Sequence, residues 1–459
     1  VVKHLFQEAT DFRMIKLIFP ENKLSELAQK FRQEPLESFA LILGRAVPVS
    51  PRGFRLLVQS IHVPAPDEYE MRSEVCARPT PAFRLAIEKP ARKEGLSLIY
   101  CHSHSFQAGI PHFSEIDDDT EMPLAEYSHS RVPGVPHISL LIGAEGCRAR
   151  ELGCGPPVEV LEVGRRLIRH FPIEPTALKP EHNRQILAFG EEGQRAIQAL
   201  RVAIVGLSGT GSVVAQQLAH LGVLRYLLID PENMEDVNLN RVVGAINSDI
   251  GRPKVAIARR MIKRVLKGAE IKAVQGDILD APIGAMLTGA DFIFGCTDTH
   301  GSRHFLNRLA YQYFIPCIDM GTVIVPGNGG EVIYFGGRVQ MLAPGLRCLV
   351  CGDDTLDPDE VRRDLLNEHQ RRRDPYFQER TGIKQPAVIS LNSAAASHAV
   401  TMFLAAVAGV PMNVRLQALR GIPGVVRPWD DRPRPNCVNC SEDAYFGKGT
   451  KHPLPAHEK

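Results

Sequence analysis

An apolar run that leads straight into closely spaced glycines constrains this chain most. Residues 202–212 read VAIVGLSGTGS. The apolar residues suit a buried strand, Gly206, Gly209 and Gly211 suit a tight turn, and Ser212–Leu221 has helical spacing. Strand, glycine turn and helix in that order begin a βαβ unit, and such units stack into a parallel sheet covered by helices. The alternation continues downstream. Arg225–Asp230 and Ile271–Gln275 read as strands, with Lys254–Leu266 as the helix between them. Phe292–Gly295 and Pro316–Met320 read as short strands around a helix near Ser302–Tyr313. The fold class expected here is α/β, a Rossmann-like doubly wound sheet.

The bulk properties add bounds. A chain of 459 residues has room for two or three cores. Its net charge of +2 gives no field that would argue for nucleic acid or an anionic membrane. The apolar stretch around 391–412 carries Asn392, Ser393, Ser397, His398 and Thr401, so it reads as a buried helix rather than a membrane span. The first residues, VVKHLFQEATDF, do not form a secretory signal, which points to the cytoplasm. Pro172, Pro175 and Pro180 mark a linker. The expected organisation is a domain over 1–172, a linker over 173–180 and a second domain over 181–459. Within the second, residues 357–384 are charge-rich and read as an exposed insertion.

The first domain carries candidate metal ligands. Residues 101–117 read CHSHSFQAGIPHFSEID. His102 and His104 alternate at the end of an apolar strand, so both rings leave the same face. Asp117 follows within Ser114-x-x-Asp117, at a helix start. Two histidines and a carboxylate are a catalytic zinc set that leaves a position for water. Glu37, just ahead of the apolar run Phe39–Leu43, is a candidate general base.

This order of residues resembles the JAB/MPN (JAMM) metalloisopeptidases. The resemblance implies an α/β zinc-hydrolase domain in which His102, His104 and Asp117 ligate a catalytic zinc. It further implies that Glu37 moves the proton of the attacking water and that Ser114 donates to the oxyanion. The chain departs from the family in having Ser105 after the second histidine. It also has a longer loop before Ser114, into which His112 could intrude.

In the second domain, Gly206-Leu-Ser208-Gly209-Thr-Gly211 has Ser208 where a dinucleotide turn has its second glycine. Amides at the helix start suit phosphates, and Asp230 ends the next strand where an acid suits ribose hydroxyls. The turn alone leaves a dehydrogenase open. The run from Asp230 through Asn238, Asn240 and Arg241 resembles the ubiquitin-activating superfamily in its ThiF/MoeB/HesA branch. Arg184, Gln185, Gln194, Lys254 and Asp298 match it in order and spacing.

That resemblance implies adenylation of a carboxylate by ATP. Asp230 would hold ribose, while Arg241, Lys254 and Asn238 or Asn240 meet the phosphates. Asp298 would hold magnesium, and Arg184 would reach across a homodimer to the other subunit's phosphates. Cys348-x-x-Cys351 and Cys437-x-x-Cys440 form two pairs whose four thiolates suit a closed structural zinc knuckle.

Many family members pass the acyl group to a cysteine of their own. Between Gly352 and Asn436 this chain has none. Either a partner attacks the adenylate directly, or a hydroxyl such as Thr381 or Tyr376 accepts it; direct attack is the reading preferred.

Together these resemblances lead to an expected bifunctional enzyme of a bacterial ubiquitin-like conjugation system. One half would adenylate a ubiquitin-like protein with a Gly-type C-terminus, with a conjugating-type enzyme as a further partner. The other would act as a deubiquitinase-like zinc metalloprotease. The alternative is activation and processing of a ThiS/MoaD-like sulfur carrier in cofactor or sulfur amino-acid biosynthesis.

Overall fold

The computed structural model describes residues 14–50, 53–104, 109–170, 177–327, 329, 331–352, 355–367, 370, 386–421 and 424–457. Ser105, Tyr376, Thr381 and most of the charged 357–384 stretch lie outside the described residues. Two compact units divide the chain. The first is Val1–Val163 with Ile168–Pro172 and Gly447–His452; the second is Gly164–Leu167 and Ile173–Phe446 with Pro453–Lys459.

The first unit is built on strands β1 (Met14–Pro20), β2 (Phe39–Ser50) and β3 (Gly53–His62), and on a small hairpin of β4 (Tyr69–Ser73) and β5 (Cys76–Pro79). Strands β6 (Ser97–His104), β7 (Ile138–Gly143), β8 (Gly146–Glu151), β9 (Pro157–Val163) and β10 (Leu167–Arg169) follow. Helices α1 (Lys23–Arg32), α2 (Pro81–Glu94) and α3 (Glu115–Arg131) complete it. The main sheet runs β1-β3-β2-β6-β7-β8-β9-β10, and β1 also pairs in parallel with β9.

That pairing closes the ring into a β-barrel. The closed barrel overturns the expected JAB/MPN α/β zinc-hydrolase architecture, and the metalloprotease and deubiquitinase-like assignments that rested on it fall too. Periodicity in sequence could not show this. Closure depends on Leu17 meeting Val160 and Ile18 meeting Leu161, contacts between strands far apart in the chain.

Alternation along the strands sorts two cores. Ile15, Leu17, Ala40, Ile42, Ile99, Cys101, Leu140 and Val160 share one face with Leu24, Leu27 and Phe31 of α1. Phe39, Leu41, Leu43, Leu98 and Tyr100 share the other with Phe83 and Ile87 of α2 and Ala125 of α3. Both longer helices begin at side-chain caps. Thr80 accepts from the Phe83 amide at the start of α2, and Ser114 accepts from the Asp117 amide at the start of α3.

The second unit holds β11 (Arg201–Val205), β12 (Arg225–Asp230), β13 (Glu270–Gln275), β14 (Phe292–Gly295), β15 (Cys317–Pro326), β16 (Val332–Leu342), β17 (Leu416–Arg420) and β18 (Val425–Pro428). Its helices are α4 (Asn183–Ala199), α5 (Gly209–Leu221), α6 (Lys254–Val265), α7 (Ala281–Ala285), α8 (His300–Gln312), α9 (Pro358–Leu365) and α10 (Ile389–Val407). The sheet order is β13-β12-β11-β14-β15-β16-β17-β18. Strands β11 to β15 pair in parallel, and β16 to β18 continue antiparallel.

Chain order reverses between β11 and β14, the switch point at which open α/β sheets bind ligands. Helix α10 is long and apolar enough to cross a membrane. It buries Ala395, Ala396, Ala399, Met402, Phe403 and Ala406 and packs on α5, β15 and β16.

Candidate nucleotide site and metal clusters

At the switch point the glycine turn has no room for side chains. Gly206 has φ of 87°, and a Cβ there would lie 2.5 Å from the Cys296 carbonyl oxygen. A Cβ on Gly211 would lie 1.9 Å from the Gly206 carbonyl oxygen. On Gly209 it would lie 2.1 Å from Asn392 Nδ2 and 3.4 Å from Arg241 Cδ. So the turn is closed beneath by Cys296, the residue that follows β14, while Arg241 and Asn392 stand over it. The amides that open α5 then have the arrangement that suits an anion.

Asp230 locks the turn in place. Its Oδ2 accepts from the Leu207 amide at 2.6 Å and its Oδ1 from the Glu232 amide at 2.8 Å. Burial pushes this carboxyl above its ordinary range, against the pull of the two amides and of Lys254. Lys254 is buried at the first position of α6 and pairs with the Glu232 carboxylate. Asn238 is buried and accepts from the Glu235 amide at 3.2 Å, which shapes the turn that delivers Arg241. Arg241 Nη1 donates to the Val237 carbonyl at 2.6 Å and to Asn240 Oδ1 at 3.2 Å.

Ser208 precedes α5 and makes no side-chain cap bond. Asp298 is exposed three residues beyond the end of β14, and Arg184 is exposed on α4. The neighbouring motif glutamines are structural. Gln185 donates to Gln194 Oε1 at 2.8 Å, and Gln194 donates to the Leu221 carbonyl at 2.9 Å, which fastens the end of α5.

Two contributors escaped the sequence reading. Asn392 comes from α10, more than 180 positions after the turn, and is held by the Thr322 hydroxyl at 2.9 Å. No local pattern marks it. Glu232 could have been noticed, because it stands two residues after Asp230. The remaining cysteines near the sheet are poor nucleophiles. Burial pushes the Cys317 thiol well above its ordinary value, and desolvation takes Cys296 up to about 12.

The four knuckle cysteines come together in the buried interior. Cys348 lies 3.6 Å from Cys351 and 3.6 Å from Cys437, and Cys351 lies 3.5 Å from Cys440, sulfur to sulfur. Tetrahedral zinc thiolates, with Zn–S of about 2.3 Å, require sulfurs about 3.8 Å apart. The cluster therefore fits a closed structural zinc site.

A second cluster lies in the first unit, where the end of β6 meets the start of α3. His102 Nε2 stands 3.0 Å from Asp117 Oδ1, and His104 Nε2 3.6 Å from Asp117 Oδ2. Their candidate ligand atoms all lie within 4.8 Å of one another. Phe39, the first residue of β2, pairs with His102, and the Ser103 amide donates to the Ser38 carbonyl at 3.0 Å, which brings the buried Glu37 beside the same group. Burial takes the Glu37 carboxyl up to about 7, with His102 pulling it down and Asp117 pushing it up.

Burial would raise Asp117 as well, but a bond from His102 and its charge, together with bonds from Ser114, hold it well below the usual carboxylate range. The Ser114 hydroxyl donates to Asp117 Oδ2 at 2.8 Å, so its first role is to orient that carboxylate at the start of α3.

Comparison with known proteins bears on the second unit. A profile of the ThiF family matches residues 182–437. Molybdopterin-synthase adenylyltransferase of Escherichia coli is 31% identical over 170 residues, covering 37% of this chain and 66% of that protein. The sulfur carrier protein ThiS adenylyltransferase of the same organism is 26% identical over 165 residues, covering 36% and 62%. The chain thus spans just under two thirds of these relatives. Among solved structures, E. coli MccB with MccA-N7isoASN superposes with a TM-score of 0.46 at 17% identity, over 57% of this chain and 76% of that one. The family profile lends no support to the fused metalloprotease. The family profile covers more than half of the sequence, and the chain belongs to the ThiF family.

Proposed function

We propose that the second unit is an ATP-dependent adenylyltransferase acting on the C-terminal carboxylate of a small sulfur-carrier protein of the ThiS/MoaD kind. One observation carries this reading. The glycine turn, Asp230, Arg241 and the buried Lys254 converge at the switch point of the sheet, where a triphosphate would meet amides and two cations. The names of the two relatives, which act on molybdopterin synthase and on ThiS, favour the sulfur-carrier alternative over the conjugation and deconjugation expected at first. Asp298, at the carboxyl edge of β14, is the candidate magnesium ligand beside the attacking carboxylate. Arg184 is the candidate residue that reaches a second copy in a homodimer.

With no cysteine between Gly352 and Asn436, the activated acyl group would pass from AMP directly to an external nucleophile. ATP–pyrophosphate exchange tests the reading. Exchange should require a Gly-ended carrier of this class and should vanish with Asp298→Ala. Exchange without any carrier, or none with carriers of both the sulfur and the ubiquitin-like kind, refutes it.

We also propose that His102, His104 and Asp117 take a divalent metal, with zinc suited to the N₂O donor set. The closeness of the three donors supports this, and no reaction is assigned to the site. Metal analysis should find two equivalents in the wild type and one in His104→Ala. A count of one in both refutes it.

A further inference from the structure

Lys254 is placed where a cation is uncomfortable. It opens α6, whose amino end carries partial positive charge, and it is 2% exposed. A buried ammonium needs a counter-charge. Two carboxylates face it, and they differ in freedom. Asp230 is buried, and both of its oxygens are already engaged by the amides of Leu207 and Glu232. Glu232 reaches Lys254 Nζ with Oε2, yet 65% of its side chain is exposed.

The backbone of Glu232 is fixed at both ends of its peptide. Its amide donates to Asp230 Oδ1 at 2.8 Å, and its carbonyl accepts from the Lys254 amide at 3.1 Å. Only the Glu232 side chain can swing away without disturbing Asp230 or α6.

We propose that Glu232 stands in for phosphate. Its carboxylate neutralises Lys254 in the nucleotide-free protein and is displaced when the phosphate oxygens of a nucleoside triphosphate arrive. This rests on the reading of the switch point as an ATP site. The geometry supplies the reason. An exposed carboxylate on a flexible stem is the cheaper of two partners to move, and left in place it would repel a polyanion. Glu232 is thus a gating residue that lowers apparent affinity for nucleotide while keeping the buried ammonium paired.

Titration calorimetry of Mg·ATP with the full chain tests this, using wild type, Glu232→Gln, Glu232→Asp, Lys254→Met and the Glu232→Gln/Lys254→Met double variant. Removing the competing charge should tighten Kd by about five- to tenfold in Glu232→Gln. The shorter Glu232→Asp, which pairs less well, should tighten it by less and serves if the Gln variant folds poorly. In the Lys254→Met background the Gln substitution should bring a smaller gain, the part due to repulsion alone, which separates competition for the ammonium from a general effect on structure. A Gln variant that binds Mg·ATP as the wild type does, or more weakly, overturns the proposal, as does an equal gain in the Lys254→Met background. Absence of any binding by the wild type removes the nucleotide reading itself, a different failure.

Discussion

Replacing Gly211 by alanine should separate the two functions of the glycine turn, packing and phosphate binding. The new Cβ would be 1.9 Å from the Gly206 carbonyl oxygen and 3.2 Å from Cys296 Cβ, whereas ordinary contact begins at 3.4 Å. The oxygen belongs to the backbone, so no side-chain rotation relieves the overlap. The start of α5 must move away from the turn by about 1.5 Å. Overpacking of this kind costs about 1–3 kcal/mol, which corresponds to a melting temperature lower by about 5 °C for a unit of this size.

The effect on chemistry should be larger, because the same movement withdraws amides from the phosphates. Misplacement by about 1 Å can cost on the order of a hundredfold in rate. ATP–pyrophosphate exchange should therefore fall about a hundredfold, with a modest loss of stability seen by calorimetry. Gly268→Ala is the control. No atom lies within 4 Å of a Cβ there, and its backbone does not need a positive φ, so it should leave both readouts unchanged. If Gly211→Ala melts and exchanges like the control, the turn is not the rigid cradle inferred here.

Three more expectations follow from other parts of the molecule. Asp230→Asn leaves one acceptor where two amides now donate, so one buried N–H loses its partner. A loss of about 1–3 kcal/mol should appear in thermal melts, together with weaker ATP binding. Cys437→Ser should lose one zinc equivalent by metal analysis and lower the melting temperature of the second unit, since a closed four-thiolate site contributes to folding.

His137 accepts from the Leu98 amide at Nδ1 and lies 3.1 Å from the Val132 carbonyl at Nε2, and burial takes its imidazole down to about 4. A histidine held neutral by the fold stabilises it fully above the unfolded value of about 6.5 and loses that contribution as pH falls toward about 4. Ring-proton shifts should accordingly stay unprotonated at pH 5, and a midpoint near 6.5 in the native protein would contradict the burial argument.

The legible parts of this chain were those whose physics is local. Strand β11, the turn and α5 follow one another within about twenty residues, and each carries its own signal of apolar run, glycine spacing and helical periodicity. Asp230 was legible as the acid ending the next strand. Its bond to Leu207 was not, because hydrogen-bond direction is a property of the assembled turn. The cysteine pairs were legible as pairs, and their sulfur distances belong to the fold. In the first unit His102, His104 and Asp117 were singled out by their spacing, and the structure brings their donor atoms within 4.8 Å of one another. The architecture inferred around them was wrong, because short motifs describe a site and not the sheet that holds it.

The sequence by itself determined the parallel half of the second sheet, the turn that suits phosphate and the identity of both candidate ligand sets. Tertiary structure alone decided that β1 meets β9 and closes a barrel. It also decided that Asn392 and Arg241 stand over one glycine and that Lys254 is buried against an exposed Glu232. The division has a physical cause. Backbone preferences and side-chain periodicity act over a few residues and are written in neighbouring letters. Strand closure, burial and charge pairing depend on which distant surfaces exclude water together, and no local stretch of sequence states that.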